Sequence, residues 1–284
     1  MKIFLTGSSG ILGTELLKIA EQNNHTILHF NSSNIDLSDF SQILDRVNNF
    51  KPDVIIHCAA MTNVDLCEDD HVAALKINVL GTQNLAIAST RNNAKIVYIS
   101  SCGVYGNGKV TPYNELDSTN PINYHHFTKL EGEKRIKEHS KDYLIVRTGW
   151  LFGGSKEHRK NFVEARRNEA LKTAVLNSAI DKKGSPTYTL ELANQIFFLL
   201  NKQYAGTFNI VNEGSATRFD YVSEIIKLLG LNNEIKGVDS NLFPRKANMP
   251  DNESLENMNL NLHQINQMSD WRTALKSYIT NTYY

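Results

Sequence analysis

The chain begins with a short apolar run, Lys2–Thr6, that stops at Gly7-Ser8-Ser9-Gly10-Ile11-Leu12-Gly13 and passes at once into a segment with Leu12, Leu16 and Ile19 at helical spacing. A strand, a glycine-rich turn and a helix in that order leave few folds open. Each glycine has a separate task. Gly7 allows the tight turn, Gly10 lets the backbone approach a pyrophosphate, and Gly13 lets the helix close on the sheet. The helix N-terminus then turns free N–H groups towards the anion. Ser9, Ile11 and Leu12 share that turn. The expectation is a dinucleotide-binding turn at the head of an α/β fold.

The pattern that follows agrees. Residues 26–30, 54–58, 95–100 and 143–148 read as strands, the later ones as continuous apolar runs suited to burial on both faces. Residues 39–50, 71–92 and 128–141 read as the helices between them, the first stopped before Pro52. This alternation predicts a Rossmann-type doubly wound parallel sheet. After Trp150 the pattern loosens. Residues 188–201 and 219–229 look helical, 206–211 look like a strand, and 232–259 look irregular. The expected organisation is a dinucleotide-binding domain over 1–150. A mainly substrate-binding lobe over 151–284 follows, with some segments returning to the first half. A site should open at the carboxyl ends of the strands.

Charge narrows the partners. The chain has 30 Lys plus Arg and 30 Asp plus Glu in 284 residues, so nothing draws it to nucleic acid or an anionic membrane. Arg159-Lys160 and Arg166-Arg167 read as solvated helix faces. The longest apolar stretch, around 192–200, is too short to span a bilayer. Cys58, Cys67 and Cys102 are odd in number and fit no metal motif, and the N-terminal segment fits no signal peptide. The expectation is a cytoplasmic protein without a metal, with a homodimer left open. The second strand ends Phe30-Asn31-Ser32-Ser33, with no acid there for a ribose 2′-hydroxyl and no arginine for a 2′-phosphate. That leans towards NADP(H) over NAD(H). Asp36 admits two roles, touching the adenine or capping the next helix.

Several longer segments carry a family resemblance. They are Lys51-Pro52-Asp53-Val54-Ile55-Ile56-His57-Cys58-Ala59-Ala60-Met61-Thr62, then Val64-Asp65 with Glu68, and Ile77-Asn78-Val79. Further on come Arg147-Thr148-Gly149-Trp150-Leu151-Phe152-Gly153 and Gly184-Ser185-Pro186-Thr187-Tyr188, with a fainter echo at Pro250-Asp251-Asn252 and Leu255. Together they resemble the extended short-chain dehydrogenase/reductases, and among these the dTDP-4-dehydrorhamnose reductase group. The resemblance implies a nicotinamide cofactor and a nucleotide-activated sugar, in the synthesis of polysaccharide or glycan precursors. It places Leu37, Cys58, Ala59, Ala60 and Thr62 beside the cofactor with the glycine turn, Asn31 and Asp36. Asn78 helps to organise the site, and Trp150 stands where an aromatic often meets the sugar.

The resemblance also supplies a catalytic set with one departure. Ser101 stands in the position of the hydrogen-bonding hydroxyl, and Lys129 in that of the lysine that holds the cofactor ribose and lowers the pKa of the acid. The family tyrosine lies four residues before the lysine, one helical turn back. Here that residue is His125, and Tyr124 lies about 100° further round the helix. Three readings stay open: His125 replaces the tyrosine as acid, Tyr124 swings in from a distorted helix start, or proton transfer is lost. Cys102 stands where the reductase group has aspartate, and Gly103-Val104-Tyr105-Gly106 is more like the epimerases. Met249 stands where an arginine is common. The leading expectation is an NAD(P)H-dependent reductase of a nucleotide-linked 4-keto-6-deoxy sugar. A sugar epimerase or dehydratase is the second. A coenzyme-binding regulatory subunit, like that of methionine adenosyltransferase, is the third.

Overall fold

In the computed structural model, which describes residues 1–284, the winding starts with β1 (Lys2–Thr6), α1 (Ile11–Gln22), β2 (Thr26–Phe30), α2 (Phe40–Phe50) and β3 (Val54–His57). Next come α3 (Val64–Asp69), α4 (His71–Leu75), a π turn (Lys76–Leu80) and α5 (Gly81–Arg91). The first half ends with β4 (Lys95–Ile99), a 3-10 turn (Cys102–Tyr105), α6 (Tyr124–His139) and β5 (Tyr143–Arg147). The second half is built from shorter pieces. These are β6 (Leu151–Phe152), α7 (Phe162–Ala170), β7 (Val175–Ala179), β8 (Lys183–Gly184), β9 (Thr187–Tyr188), α8 (Thr189–Asn201) and β10 (Gly206–Asn209). β11 (Ala216–Thr217), α9 (Arg218–Leu228), β12 (Glu234–Val238), β13 (Asn252–Glu253), α10 (Met258–Leu262) and α11 (Trp271–Tyr283) complete the chain.

The main sheet runs β2-β1-β3-β4-β5-β10, and every neighbouring pair is parallel. Alternation of side chains gives it two cores. Ile3, Leu5, Val54, Ile56, Val97, Leu144 and Val146 point to one face, where α1 and α8 cover them. Phe4, Ile55, Ile96, Tyr98 and Ile145 point to the other, against α2, α5 and α6. A third, aromatic core of Phe152, Tyr188, Tyr221, Trp271 and Tyr278 holds the smaller lobe together. Residues 206–209 therefore belong to the main sheet and 189–201 to the helix layer over it, although they lie far along the chain.

Three expectations change in detail. The 71–92 helix contains the π turn. The helix before β5 begins at Tyr124, not 128, because Asn123 caps it by accepting from the His126 N–H at 2.9 Å. Residues 232–259 contain β12, which pairs in parallel with β7, and β13, which pairs with β8. No helix is long and apolar enough to cross a membrane, and all three cysteines are free.

One buried network ties the sheet to α6. Arg147, 5% exposed, donates from Nε and Nη2 to the two carboxylate oxygens of Glu133, at 2.9 and 2.7 Å. Its Nη1 donates to the Tyr105 hydroxyl at 2.9 Å, which donates to Asn209 Oδ1 at 2.9 Å. Ser100 Oγ donates to Glu133 at 2.6 Å. Burial alone would lower the Arg147 pKa, but the bond and charge of Glu133 override it and hold the guanidinium charged. Removing one partner strands a buried charge, so Glu133→Leu should cost about 3–5 kcal/mol in urea denaturation. The double variant Glu133→Leu/Arg147→Met should recover a large part of that loss.

Candidate active site

The carboxyl ends of β1, β3, β4 and β5 open onto one cleft of about 1150 Å³. Its floor is the glycine turn. Gly7 has φ 73°, and a Cβ there would lie 2.6 Å from the Ala59 nitrogen. A Cβ on Gly13 would overlap the Gly7 carbonyl. Turn, loop and helix are thus in backbone contact, which only glycine permits. Gly10 gives α1 no side-chain cap, and the first turn of the helix carries no acid. Its first N–H groups are free for an anion. These features fit a dinucleotide diphosphate.

The second strand leads to one end of the cleft, lined by Asn31, Ser32, Ser33, Asp36 and Leu37. Asp36 does not cap α2. It accepts from the Ser38 N–H and hydroxyl at 2.9 and 2.6 Å and lies 3.8 Å from Lys76. Asp39 is the cap, accepting from the Gln42 N–H at 3.0 Å. The signal was present in the sequence, since an aspartate directly before a helical run is a stronger cap candidate than one three residues earlier.

Cys58, Ala59, Ala60, Met61 and Thr62 form the wall beyond β3. Asn78 braces this wall from inside the π turn. Its Oδ1 accepts from the Met61 N–H at 2.8 Å, and its Nδ2 donates to the Met61 carbonyl at 3.1 Å and to Thr128 Oγ1 at 2.9 Å. The wall and α6 are therefore held by one side chain, next to Lys129. His57, below it, bridges Thr6 and Thr82 at 2.8 and 3.0 Å. Burial, aided by the charge of Lys129, pushes its pKa down to about 3, so it remains a neutral bridge.

Ser101, His125 and Lys129 all line the cleft. Ser101 leaves β4 and its Oγ accepts from the Gly103 N–H at 3.3 Å. Lys129 is 4% exposed, with Nζ 4.1 Å from the centre of the Tyr98 ring. Burial pulls its pKa down to about 7, with Cys58 and Glu133 acting the other way. His125 is 8% exposed, and both ring nitrogens are buried without a partner. Burial, with the charges of His126, Lys129 and Lys160, holds its pKa well below the usual imidazole value. Two unpaired buried nitrogens on a residue that lines the cleft call for a polar partner that the chain itself does not supply.

Tyr124 is a correction. Its ring stacks on His71 with centroids 3.6 Å apart, its N–H donates to Glu68 at 2.7 Å, and it does not line the cleft. The Asn123 cap makes the helix regular from residue 124, so 125 and not 124 shares the face of 129.

Every other residue expected at the site lines the same cleft: Gly7, Ser9, Gly10, Ile11, Leu12, Gly13, Asn31, Asp36, Leu37, Cys58, Ala59, Ala60, Thr62 and Trp150, with Ser101, His125 and Lys129. Trp150, at φ 47°, donates its indole N–H to Glu253 at 3.0 Å and carries the Arg218 guanidinium 3.4 Å from its ring centre. Glu253 also lies 3.8 Å from His126 and accepts from the Cys102 thiol at 3.7 Å. Met249 stays outside the cleft. Sequence reasoning missed Lys76, Arg159 and Lys160, which do line it. Arg159 and Lys160 lie in a loop, not on a solvated helix face.

A Rossmann-type sheet with a glycine cradle, and with a serine and a lysine facing it, defines a nicotinamide-dinucleotide protein of the short-chain dehydrogenase class. The chain belongs to the RmlD substrate binding domain family, whose model matches residues 1–284. It is 32% identical over 281 residues to a dTDP-4-dehydrorhamnose reductase of Mycolicibacterium smegmatis, covering 98% of this chain and 85% of the relative. A solved dTDP-4-dehydrorhamnose reductase from Clostridium acetobutylicum superposes with a TM-score of 0.95 at 34% identity over 99% of both chains. One from Bacillus anthracis, solved in complex with NADP, gives 0.95 at 31% over 99% of both.

The buried lysine makes a stability prediction. Its folded pKa, about 7, lies below its unfolded value, about 10.4. Burying the charged form is unfavourable, and that penalty is full below pH 7 and relieved as pH rises towards the unfolded value. Lys129→Met should therefore melt higher than the parent in acid, with the gap narrowing above neutrality. Thermal melts across pH would check this.

Proposed function

We propose that the chain is an NADPH-dependent reductase of a nucleotide-linked 4-keto-6-deoxy sugar, with the activity of a dTDP-4-dehydrorhamnose reductase. The observation that carries the reading is the convergence of Ser101, His125 and Lys129 on the cleft whose floor is the glycine turn. Relatives bearing that activity in their names cover almost the whole chain. The end of β2 offers Asn31, Ser32 and Ser33 and no acid, which supports the phosphorylated coenzyme.

The bound nicotinamide supplies a hydride. The chain's own residues do the rest. The Ser101 hydroxyl holds the sugar keto oxygen by a hydrogen bond. His125 gives that oxygen its proton, in place of the family tyrosine. Lys129, one helical turn away, holds the coenzyme ribose and keeps a proton close to the imidazole at neutral pH. Trp150, fixed by Glu253 and Arg218, forms the wall against the sugar. Tyr105, in the segment that resembles epimerases, serves the Arg147 network and leaves the cleft to the reductase set.

A second reading, coenzyme binding without turnover, draws on the same imidazole, because burial disfavours its charged form. We further propose a homodimer working in the cytoplasm. The exposed apolar side chains Val72, Leu75 and Leu80 and the three free cysteines support it. Sedimentation and cell fractionation check those two points.

Purified protein given NADPH and dTDP-4-keto-6-deoxy sugars should consume coenzyme continuously; binding without consumption would favour the second reading. His125→Phe should lower kcat roughly 10²–10⁴-fold, and Ser101→Ala roughly 10²–10³-fold. Tyr124→Phe should leave it within a small factor, and the reverse ranking of the two would refute the imidazole assignment. Both Lys129 and His125 act in their protonated forms. kcat/KM should therefore fall as pH rises through about 7, the Lys129 value, and climb on the acid side.

A further inference from the structure

Residues 153–161 leave the second lobe, cross the mouth of the cleft and return. The two ends of this segment are fastened by one buried side chain. Tyr278, on α11, donates its hydroxyl to the Gly154 carbonyl at 3.1 Å and accepts from Asn161 Nδ2 at 2.6 Å. Asn161 also donates to the Ser155 carbonyl at 2.9 Å and caps α7 through the Glu164 N–H at 3.1 Å. Gly154, at φ 69°, starts the excursion. Those bonds fasten the base, and the crown is exposed at Ser155, Lys156, Glu157, Arg159 and Lys160.

The crown touches both walls. His158 Nε2 lies 3.1 Å from the Ser9 carbonyl, in the glycine turn, and must carry the proton because a carbonyl only accepts. The Lys160 amine donates to Thr62 Oγ1, on the wall beyond β3. Arg159 and Lys160 both line the cleft, and neither has a carboxylate within 4.0 Å. Lys160 is close enough to His125 for its charge to lower the pKa of that buried, partnerless ring.

The charge balance of the cleft gives this segment a role. No Lys or Arg occurs from residue 3 to 17 or from 52 to 75, so neither the turn nor the facing wall carries a basic residue. A helix N-terminus supplies about half a unit of positive charge, and a dinucleotide diphosphate carries about two negative charges, each oxygen best met by a charged donor. The other lysines lining the cleft are spoken for. Lys76 lies 3.8 Å from Asp36, and Lys129 lies over Tyr98.

We infer that residues 153–161 form a cationic strap whose Arg159 and Lys160 bind the diphosphate of the dinucleotide seated on the glycine turn. The inference rests on the coenzyme reading above. Lys160 exchanges its bond to Thr62 for a phosphate oxygen, and His158 holds the strap over the turn. A substrate nucleotide also carries a diphosphate. The contact of the strap with Ser9, inside the glycine turn, assigns it to the coenzyme.

The test is coenzyme affinity measured by calorimetry on the full chain, together with tryptic cleavage. Lys160→Ala and Arg159→Ala should each weaken NADPH binding roughly tenfold, while Lys160→Arg should retain most of it. In the parent, NADPH should protect the bonds after Lys156, Arg159 and Lys160 from trypsin. If both alanine variants bind NADPH as the parent does, the strap role is wrong. If they weaken dTDP binding and spare NADPH, the strap serves the substrate and the assignment is overturned. A parent that binds no nicotinamide coenzyme would instead refute the functional reading itself, which separates the two failures.

Discussion

The bidentate pair of Glu133 and Arg147 fixes the distance between two elements that no covalent geometry relates. Ser101 follows β4, and Lys129 and His125 ride on α6. Through Glu133 and Ser100 the end of β4 is bonded to that helix, and through Tyr105 and Asn209 the same cluster reaches the edge strand β10. A buried ion pair is weak evidence for stability, because desolvation offsets its attraction. Its value here is register. It allows one axial position and one rotation of α6 against the sheet, and the site needs that single arrangement.

Asn78 makes the second fastening, between α6 and the wall beyond β3. It does so from a π turn, where one extra residue widens the helix and redirects its side chains. Without that widening the helix would present residues 76–80 at the ordinary angular spacing. The asparagine bonds to both Met61 and Thr128, which lie on different elements. Local helix regularity has been given up for a cross-brace, a common exchange at functional sites.

Much of this was legible in the sequence. The strand, turn and helix order and the period-two apolar runs specify the sheet, and the glycine spacing specifies its first bend. The lysine on α6 follows from the family segment around it. What stayed hidden depended on tertiary context. Which of Tyr124 and His125 lines the cleft turned on where the helix starts. Asn123, three residues before His126, was the available signal, because an asparagine cap there makes the next residue helical. Arg159 and Lys160 could not be placed, since their position over the cleft is set by Tyr278, more than a hundred residues later. The two-residue strands of the second lobe are too short to leave a periodic trace. Glu253 looked like part of an unpatterned stretch until β13 brought it beside Trp150.

The late arrival of β10 and α8 has a consequence for biosynthesis. Leu192, Ile196, Phe197, Leu200, Phe208 and Ile210 cover the same sheet face as α1. When a ribosome has made only the first five strands, that face has half its cover, and a greasy surface waits for about sixty more residues to emerge. The nascent chain is then at its most adhesive, and the closing pairing of β10 with β5 must span that whole delay. Cutting the chain after Trp150 would not liberate a tidy nucleotide module. It would leave a sticky half-sandwich.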